Sequence, residues 1–447
     1  MNKILKSSFL VFLCVILIVA TVGCKGKGDN NLKDPNSAIS GELGLKLPSY
    51  DFGGSTTVKV LTYYDIDQEV FDMCKEAYGL DIDLTKVAQG DVKLKFINSV
   101  LAGNDPYDLA NGIVCTPASI NKKIVASFDD IIDLKSDLWK STMSTNDITA
   151  RATNGKHYVL SPAISRKIGV WYNKELFEEF GEKNPKEYLV EDNWTLDSMR
   201  EIAKKMTVDT DNDGANDVWG ISFDNPWDML IPTGGGILSY DENGVPSNAL
   251  KGERVSRLMN YYQGLQINDR VVCGDGVKMF SQGKLAMFYA DAWHGINFPD
   301  LLKDNTVGIV PNPRDVNADK YYVGAGGYGY SLSSNAKNPN GAAAVLSCMR
   351  FIAEEKDNQQ RKGNIQPVES FQGNTECNEM YAELNLNFEK YTGITIPDFV
   401  FYDLLSVPWP MFYSGLLDGQ PWSAVAESLS PVVENAIEKA NDMELTE

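Results

Sequence analysis

Residues 58–114 decide the fold class, and they read VKVLTYYDIDQEVFDMCKEAYGLDIDLTKVAQGDVKLKFINSVLAGNDPYDLANGIV. Runs of β-branched and apolar residues predict strands, and apolar residues at helical spacing predict helices between them. The first predicted elements are a strand, Val58–Tyr63, and a helix, Gln68–Tyr78, that ends at Gly79. A second strand runs through Ile82, Leu84 and Val87, and a third lies within 107–114. Between these two strands, a helix capped by Asp91 ends at Gly103, and its apolar face is Phe96, Ile97, Val100 and Leu101. Strand, helix, strand, helix, strand is the pattern of a parallel sheet, so the sequence predicts an α/β fold.

Two loops of this predicted sheet are candidates for ligand contact. Ligands of such sheets lie beyond the carboxyl ends of the strands. Tyr64 and Asp65 follow the first strand, and Asn111 and Gly112 follow the third. Each of these residues is equally well explained as a turn residue that satisfies its own backbone, so both interpretations stay open.

Length and composition limit the class of protein. A chain of 447 residues is about three times the usual domain length, which predicts two domains or one domain with large excursions. Hydrophobic residues make up 43% and charged residues 23%, as is typical of globular proteins. The formal net charge of -20 repels nucleic acid phosphates and anionic membranes, which argues against a nucleic-acid-binding role.

The N-terminal segment predicts export. Lys3 and Lys6 precede the apolar run Phe9–Val22, which fits a secretory signal peptide and is short for a membrane span. The run ends at Gly23-Cys24, which resembles the lipobox of bacterial lipoproteins and makes Cys24 the predicted lipidation site. Ordinary cleavage without a lipid is the alternative. Residues 25–54 are rich in Gly, Lys, Asn, Pro and Ser, which predicts a flexible tether.

The remaining cysteines show no spacing typical of a metal site or a disulfide framework. They are Cys74, Cys115, Cys273, Cys348 and Cys377. An odd number leaves at least one thiol unpaired, and the apolar neighbours of most of them predict buried thiols that pack as small hydrophobic groups.

Several segments resemble one protein family and occur in that family's order. They are LAGNDPYDLA, NGKHYVLSPA, GVWYNKELFEEFG, NWTLDSMREIAKKMT, DTDNDGANDVWG, FSQGKLAMFYADAWHG and NPNGAAAVLSCMRFIA. The resemblance covers most of residues 55–440. It is to the extracellular solute-binding proteins (family 1, sugar-binding type) of bacterial ABC importers. It implies a two-lobed α/β fold of the periplasmic-binding-protein type (type II), with multiple chain crossovers and the ligand in the cleft between the lobes.

The resemblance also implies where the lobes divide. The N-terminal lobe is expected to hold residues 55–163 and 327–365, and the C-terminal lobe residues 164–326 and 366–447. The crossings then lie near Ser161, near the glycine-rich stretch VGAGGYGYSLSS and near Gln366. Glycines in that stretch suit a hinge strand or a close backbone approach to ligand. The last segment is expected to end as a helix, restarted or kinked at Pro431.

Sugars present apolar ring faces and a rim of hydroxyls, so their sites need flat aromatic rings and paired acceptors or donors. Asp291 and Trp293 follow the apolar strand LAMFYA, and an extended backbone would point both to one face. The family commonly has a stacking tryptophan here, and a core tryptophan is the alternative. Trp227 follows Pro226 as an aromatic stacker does in the family, or it seals the core of the lobe.

Further candidates surround these aromatic residues. Asp224, with Asn225 and Asp228, could accept hydroxyl groups beside Trp227. Tyr328 in GGYGY and Trp409 in VPWPM complete the predicted ligand-binding set, the latter held between two prolines. Trp194 matches a family position that starts a helix, and we interpret it as structural.

The stretch DTDNDGANDVWG places aspartates at positions 1, 3, 5 and 9 of a calcium-loop pattern. The possible metal ligands are Asp209, Asp211, Asp213, the backbone oxygen of Ala215, and Asp217. Position 12 is Gly220 and not a bidentate glutamate, which excludes a full EF-hand. The flanking residues predict a helix before the loop and a strand after it. We favour a structural loop on the outer surface, with a structural calcium ion as the alternative and no catalytic role.

The predicted function is that of a lipid-anchored, extracytoplasmic substrate-binding protein that captures a carbohydrate, most simply an oligosaccharide, by hinge closure. The resemblance implies ABC permease subunits as partners and a monomeric chain that is not an enzyme and requires no cofactor. A secreted glycoside hydrolase is the alternative from another class, since its cleft also combines aromatic residues and carboxylates. A binding protein for a peptide or a cationic amine is a third possibility, because the candidate site carries aspartates and no cluster of Arg or Lys.

Overall fold

The computed structural model describes residues 34–37, 39, 41–142, 155–163, 165–166, 168–240, 246–326, 329–365, 367–387, 390–394 and 419–441. Its strands are β1 Thr57–Thr62, β2 Asp81–Lys86, β3 Leu109–Asn111, β4 Val125–Ala126, β5 Ser165–Arg166, β6 Ile168–Asn173, β7 Trp219–Phe223, β8 Leu238–Tyr240, β9 Pro246–Asn248, β10 Leu285–Asp291, β11 Val307–Pro311, β12 Tyr321–Gly326, β13 Tyr330–Ser333 and β14 Tyr391–Ile394. Its α-helices are α1 Gln68–Tyr78, α2 Gln89–Ala102, α3 Pro117–Asn121, α4 Lys174–Glu179, α5 Pro185–Val190, α6 Leu196–Lys205, α7 Glu253–Gln263, α8 Gly276–Ser281, α9 Pro299–Lys303, α10 Pro339–Arg361, α11 Thr375–Leu386 and α12 Trp422–Asn441.

The first sheet has the strand order β2-β1-β3-β13-β4. Strand β1 runs parallel to β2 and β3, as the strand-helix pattern predicts, and β13 pairs antiparallel with β3 and β4. Helix α10 packs against α1 and buries its alanine-rich face in the core of this sheet. The side chain of Asn338 begins α10 by accepting a hydrogen bond from Gly341 N–H at 2.8 Å.

The second sheet has the strand order β11-β6-β10-β7. Strand β10 is parallel to β7, and β6 runs antiparallel to both β10 and β11. The apolar residues of β10 are buried from Leu285 to Ala290, as expected for a central strand covered on both faces.

A third, small sheet joins segments that are far apart in sequence. Strand β12 pairs antiparallel with β5 through Ala325 and Gly326 and runs parallel to β14. Strands β8 and β9 form a separate antiparallel pair in the segment between β7 and β10. The lobe boundaries proposed from the resemblance remain a prediction.

Local signals define α1 better than α2. Helix α1 has the predicted bounds, and Gly79 ends it with a φ of 69°, a conformation that glycine adopts without strain. Helix α2 begins at Gln89, so Asp91 lies in its first turn and is not the cap. The buried residues of α2 are Val92, Phe96 and Val100, and the predicted core position Leu101 is wrong, since that residue is 71% exposed.

The chain packs against the first sheet well before residue 55. Leu47 and Tyr50 are buried, and the Tyr50 hydroxyl is 3.0 Å from Ser347 Oγ on α10. The predicted tether 25–54 is therefore wrong at its C-terminal end. Burial raises the pKa of Tyr50 to about 12, which is consistent with a hydroxyl held inside the core.

The cysteine and tryptophan predictions agree with the structure. All five predicted thiols are free and buried. Trp194 is fully buried, and its indole N–H donates a hydrogen bond to the carbonyl oxygen of Pro311 at 2.8 Å, a structural role. Pro431 lies inside α12, which continues through it.

Candidate functional site

Parallel strands of the second sheet end at a common edge. Asp224 follows β7, and Asp291 is the last residue of the neighbouring strand β10. The Asp224 N–H donates a hydrogen bond to the carbonyl oxygen of Tyr289 at 3.0 Å, so the two chain segments leave the sheet side by side. Ligands of α/β proteins bind at such an edge. The structure thus brings the predicted residues Asp224 and Asp291 together.

Trp293 lies just past this edge in a 3-10 helix, Ala292–Asn297. Asp291 begins that helix, because its Oδ1 accepts a hydrogen bond from Trp293 N–H at 3.2 Å. The expectation of an extended backbone through both residues is therefore wrong. Trp293 is 48% exposed, so the core-tryptophan alternative is wrong as well. Ile296 is 54% exposed, and it lies on the same side because about three residues make one turn of a 3-10 helix.

His294 fills the space behind Trp293. The two rings are stacked, with centroids 3.9 Å apart and an angle of 26° between their planes. The imidazole is buried, and its Nε2 lies 3.1 Å from Asp224 Oδ2. The ring N–H direction does not meet the geometry of a hydrogen bond there. The attraction between the two groups is therefore that of charge when the imidazole is protonated.

Asp228 adds a buried carboxyl group to this edge. Burial raises its pKa well above the usual range, and the nearby carboxylates of Asp224 and Asp291 raise it further. The hydroxyl of Tyr289 donates a hydrogen bond to the Asp228 carbonyl oxygen at 3.1 Å and accepts one from Asn312 Nδ2 at 2.7 Å. These bonds fix the backbone below the edge.

Tyr64, Asp65 and Asn111 lie on the first sheet and have mixed surroundings. Asn111 is buried, and its side-chain oxygen accepts a hydrogen bond from Ile113 N–H at 3.1 Å, as the turn interpretation expects. Asp65 is exposed and forms an ion pair with Lys86 at 2.6 Å. The ring of Tyr64 packs edge-on against Tyr330, and burial raises the pKa of its hydroxyl. Ligand contact by these residues stays a prediction.

Other predicted residues lie outside the described part of the structure. These are the lipidation site Cys24, Tyr328, Trp409 and the side chain of Trp227. The backbone of Trp227 belongs to a 3-10 helix, Pro226–Thr233, that follows Asp224. The second platform that was expected there remains a prediction.

The Asp-rich loop connects α6 to β7, as the sequence predicts. Its carboxylates hold the loop together: Asp209 Oδ2 accepts a hydrogen bond from Gly214 N–H at 2.8 Å, and Asp213 Oδ1 accepts one from Ala215 N–H at 2.7 Å. Hydrogen bonds from Thr210 keep the pKa of Asp217 below its usual value. These contacts suit a structural loop.

The same loop also fits a calcium ion. Oxygen atoms of Asp209, Asp211 and Asp217 lie within 4.8 Å of one another. Asp209 Oδ1 is buried without a hydrogen-bond partner among the described residues. Calcium prefers carboxylate and carbonyl oxygens, so calcium binding stays a prediction beside the structural interpretation.

Two cavities of about 570 Å³ each lie in other parts of the described chain. One is bordered by Arg257 and Tyr322, and the other by Lys186 and Glu376. Neither of these two cavities contains a predicted ligand residue. In the second, ion pairs with Lys174 and Lys186 hold the pKa of Glu376 below its usual value despite its partial burial.

Three residues at this edge, Asp228, His294 and Ile296, were missed by sequence reasoning or left outside the candidate set. Asp228 lies a few residues after Asp224, His294 directly follows Trp293, and Ile296 lies one turn after Trp293. Proximity in sequence was the available signal. It does not show which side chain is buried, because burial depends on strands that are distant in sequence.

Comparison with known families identifies one match. Residues 69–368 match the profile of the family described as Bacterial extracellular solute-binding protein. The matching profile is that of family 8 of these solute-binding proteins, whereas the sequence analysis found a resemblance to family 1. Both families belong to the bacterial extracellular solute-binding proteins. No curated protein matches the chain. None of the helices within the described residues is long and apolar enough to span a membrane.

Solved structures show the same fold at low sequence identity. The maltose/maltodextrin-binding domain of Bdellovibrio bacteriovorus bound to maltotriose has 19% identity and a TM-score of 0.56, over 86% of this chain and 100% of that one. The cyclic α-maltosyl-1,6-maltose binding protein of Arthrobacter globiformis has 16% identity and a TM-score of 0.62, with the same coverage. An ABC substrate-binding protein of Listeria monocytogenes in complex with cycloalternan has 14% identity and a TM-score of 0.58, over 86% and 98%. These similarities show that the chain has the α/β fold of periplasmic binding proteins.

Proposed function

Because the chain belongs to the bacterial extracellular solute-binding proteins, we propose that it is the receptor of an ABC importer and captures a carbohydrate outside the cytoplasm. The family is one of binding proteins and not of enzymes, which leaves the glycoside hydrolase alternative without support. The finer assignments, to a sugar, a permease and a lipid anchor, are proposals.

The exposed face of Trp293 is the observation that carries the sugar assignment. An indole that is 48% exposed at the edge of a sheet offers a flat apolar surface, and sugar rings stack on such surfaces through their apolar faces. Asp224 and Asp291 stand beside it, where carboxylate oxygens can accept hydroxyl hydrogens. The structurally similar proteins described above bind maltotriose, cycloalternan and a cyclic maltosyl-maltose.

A cationic amine is the second candidate ligand, and one observation favours it. Three carboxyl groups meet at this edge, because Asp224 and Asp291 lie close enough to Asp228 to raise its pKa. Burial, however, keeps Asp228 neutral over a wider pH range than a free aspartate, because its pKa is raised. The site therefore presents less negative charge than its three acids would suggest, and this difference favours a neutral sugar over the amine.

Capture occurs by closure of two lobes around the sugar. Two of the three predicted crossings lie close together, since β5 pairs with β12 through Gly326, and rotation about this pair would close the cleft. Periplasmic binding proteins close around their ligands by hinge motion of this kind. Ligand shifts the open and closed populations only through its preference for the closed form. The closed form would then be recognised by the permease, and Cys24 would carry the lipid that keeps the monomeric receptor at the membrane.

A thermal-shift screen of the chain from residue 34 onward tests the proposal, with mono- and oligosaccharides, peptides and polyamines as probes. We expect a sugar to raise the unfolding temperature by mass action and chromatography to recover it intact. Stabilisation by an amine and by no sugar would contradict the carbohydrate assignment. A cleaved sugar would contradict the binding role itself. Mass spectrometry of the mature N-terminus tests the lipid on Cys24 separately.

A further inference from the structure

The exposed indole of Trp293 rests on an imidazole that solvent barely reaches. The stacked rings of Trp293 and His294 are 3.9 Å apart, whereas the His294 residue is only 3% exposed. Phe288 on β10 packs edge-on against the same imidazole, with centroids 5.2 Å apart and an interplanar angle of 73°. The imidazole thus connects the core of the second sheet to the exposed platform.

Each nitrogen of this imidazole lies close to a polar side chain. Nε2 is 3.1 Å from Asp224 Oδ2, on the chain segment after β7. Nδ1 is 3.3 Å from Asn297 Nδ2, at the end of the same 3-10 helix. Asn297 therefore holds one nitrogen of the ring, and the rings of Trp293 and Phe288 restrict its tilt.

We propose that His294 is a positioning residue of the ligand site: its buried imidazole holds the plane of the Trp293 indole. This inference rests on the proposed role of Trp293 as a ligand contact. A surface indole that rotates freely must be ordered when ligand binds, and this ordering lowers affinity. Stacking on a fixed ring removes that cost in advance. The effect requires a flat ring at position 294 and not the histidine's hydrogen-bonding ability alone.

A measurement without ligand tests the positioning directly. Time-resolved fluorescence anisotropy reports motion of the indole on the nanosecond scale, and the signal of Trp293 is the difference between each protein and its Trp293→Phe counterpart. His294→Ala should give a faster local decay than the wild type, and His294→Phe, which keeps a flat ring, should restore the slow decay. An Ala variant with the wild-type decay would overturn the proposal.

Affinity gives the second readout, with maltotriose as the probe in titration calorimetry. We expect His294→Ala to weaken binding on the order of three- to tenfold, and His294→Phe to recover most of that loss. In a Trp293→Ala background the same substitution should have little further effect, because the two residues act through one contact. Equal losses in both backgrounds would overturn the proposal.

His157→Ala supplies the matched control, since His157 is also buried and lies 2.7 Å from a carboxylate oxygen of Asp129. It should leave both the Trp293 decay and the affinity unchanged, and thermal unfolding of every variant checks that the fold is retained. If maltotriose does not bind, the proposed function loses support for that sugar. The anisotropy comparison then decides the role of His294 by itself, so the two failures are distinguishable.

Discussion

Replacing Trp293 by alanine removes the one exposed aromatic surface that the described part of the chain shows at the edge of the second sheet. The indole stacks on His294 with one face, and the rest of the ring accounts for its 48% exposure. A ligand that stacks on it would cover the open face. The substitution leaves the 3-10 helix intact, because Asp291 caps that helix through the backbone N–H of residue 293.

The expected loss follows from the exposed area. A tryptophan side chain has up to about 250 Å² to bury, so 48% exposure leaves about 120 Å². Coverage of half of this area would contribute about 1.5 kcal/mol at ~25 cal/mol per Å². That free energy corresponds to about a tenfold increase in Kd. Full coverage would double the free energy, and the loss in affinity would then exceed a hundredfold.

Titration calorimetry with the sugar that stabilises the wild type measures this loss. Trp219→Ala is the matched control, because Trp219 begins β7 at the end of the strand opposite to Asp224 and packs against the core. The control should lower the unfolding temperature and leave Kd unchanged. A Trp293→Ala protein that is folded and binds the sugar with the wild-type Kd would refute the site assignment and the area argument together.

The remaining predictions concern stability. Asp228→Asn should stabilise the fold more at about pH 7 than at about pH 4. Burial raises the folded-state pKa of Asp228, so the stability that its neutral carboxyl group contributes is present below the unfolded pKa and is lost as pH rises toward the folded pKa. Equal shifts in unfolding temperature at both pH values would contradict this. Calcium should raise the unfolding temperature by mass action, and Asp209→Asn should abolish the rise; curves unaffected by a chelator would leave the loop as a metal-free turn. A chain that starts at residue 55 should unfold at a lower temperature than one that starts at residue 34, because it lacks the buried Leu47 and Tyr50; equal melting curves would show that these contacts contribute nothing.

The sequence predicted elements whose signals are local. Helix α1 agrees with its predicted bounds because Gly79 supplies the left-handed end that the helix needs. The loop between α6 and β7 was also placed correctly, since turn-forming aspartates and glycine separate a helical from a strand pattern. Helix α2 shows the limit of this reasoning: Leu101 follows the apolar residue Val100, but the fold buries the face that holds Val92, Phe96 and Val100, and Leu101 is exposed.

The site depended on contacts that no local pattern contains. Sequence spacing placed Asp291 and Trp293 on one face of an extended chain, whereas the carboxylate of Asp291 turns the backbone into a 3-10 helix. His294 is buried because Phe288 on β10 and Asp224 after β7 enclose it.

Several polar side chains of the predicted ligand-binding set already form contacts within the protein. Asn111 uses its side-chain oxygen on Ile113 N–H, and Asp291 uses one carboxylate oxygen on Trp293 N–H. Asp65 lies beside the ammonium group of Lys86. Because these groups already stabilise their own turns and neighbours, an added hydrogen bond to ligand would gain less than the same bond to an unengaged group. His294 stacks on one face of the Trp293 indole, and within the described residues the other face is open to solvent. We therefore expect the binding free energy to be concentrated on that open face.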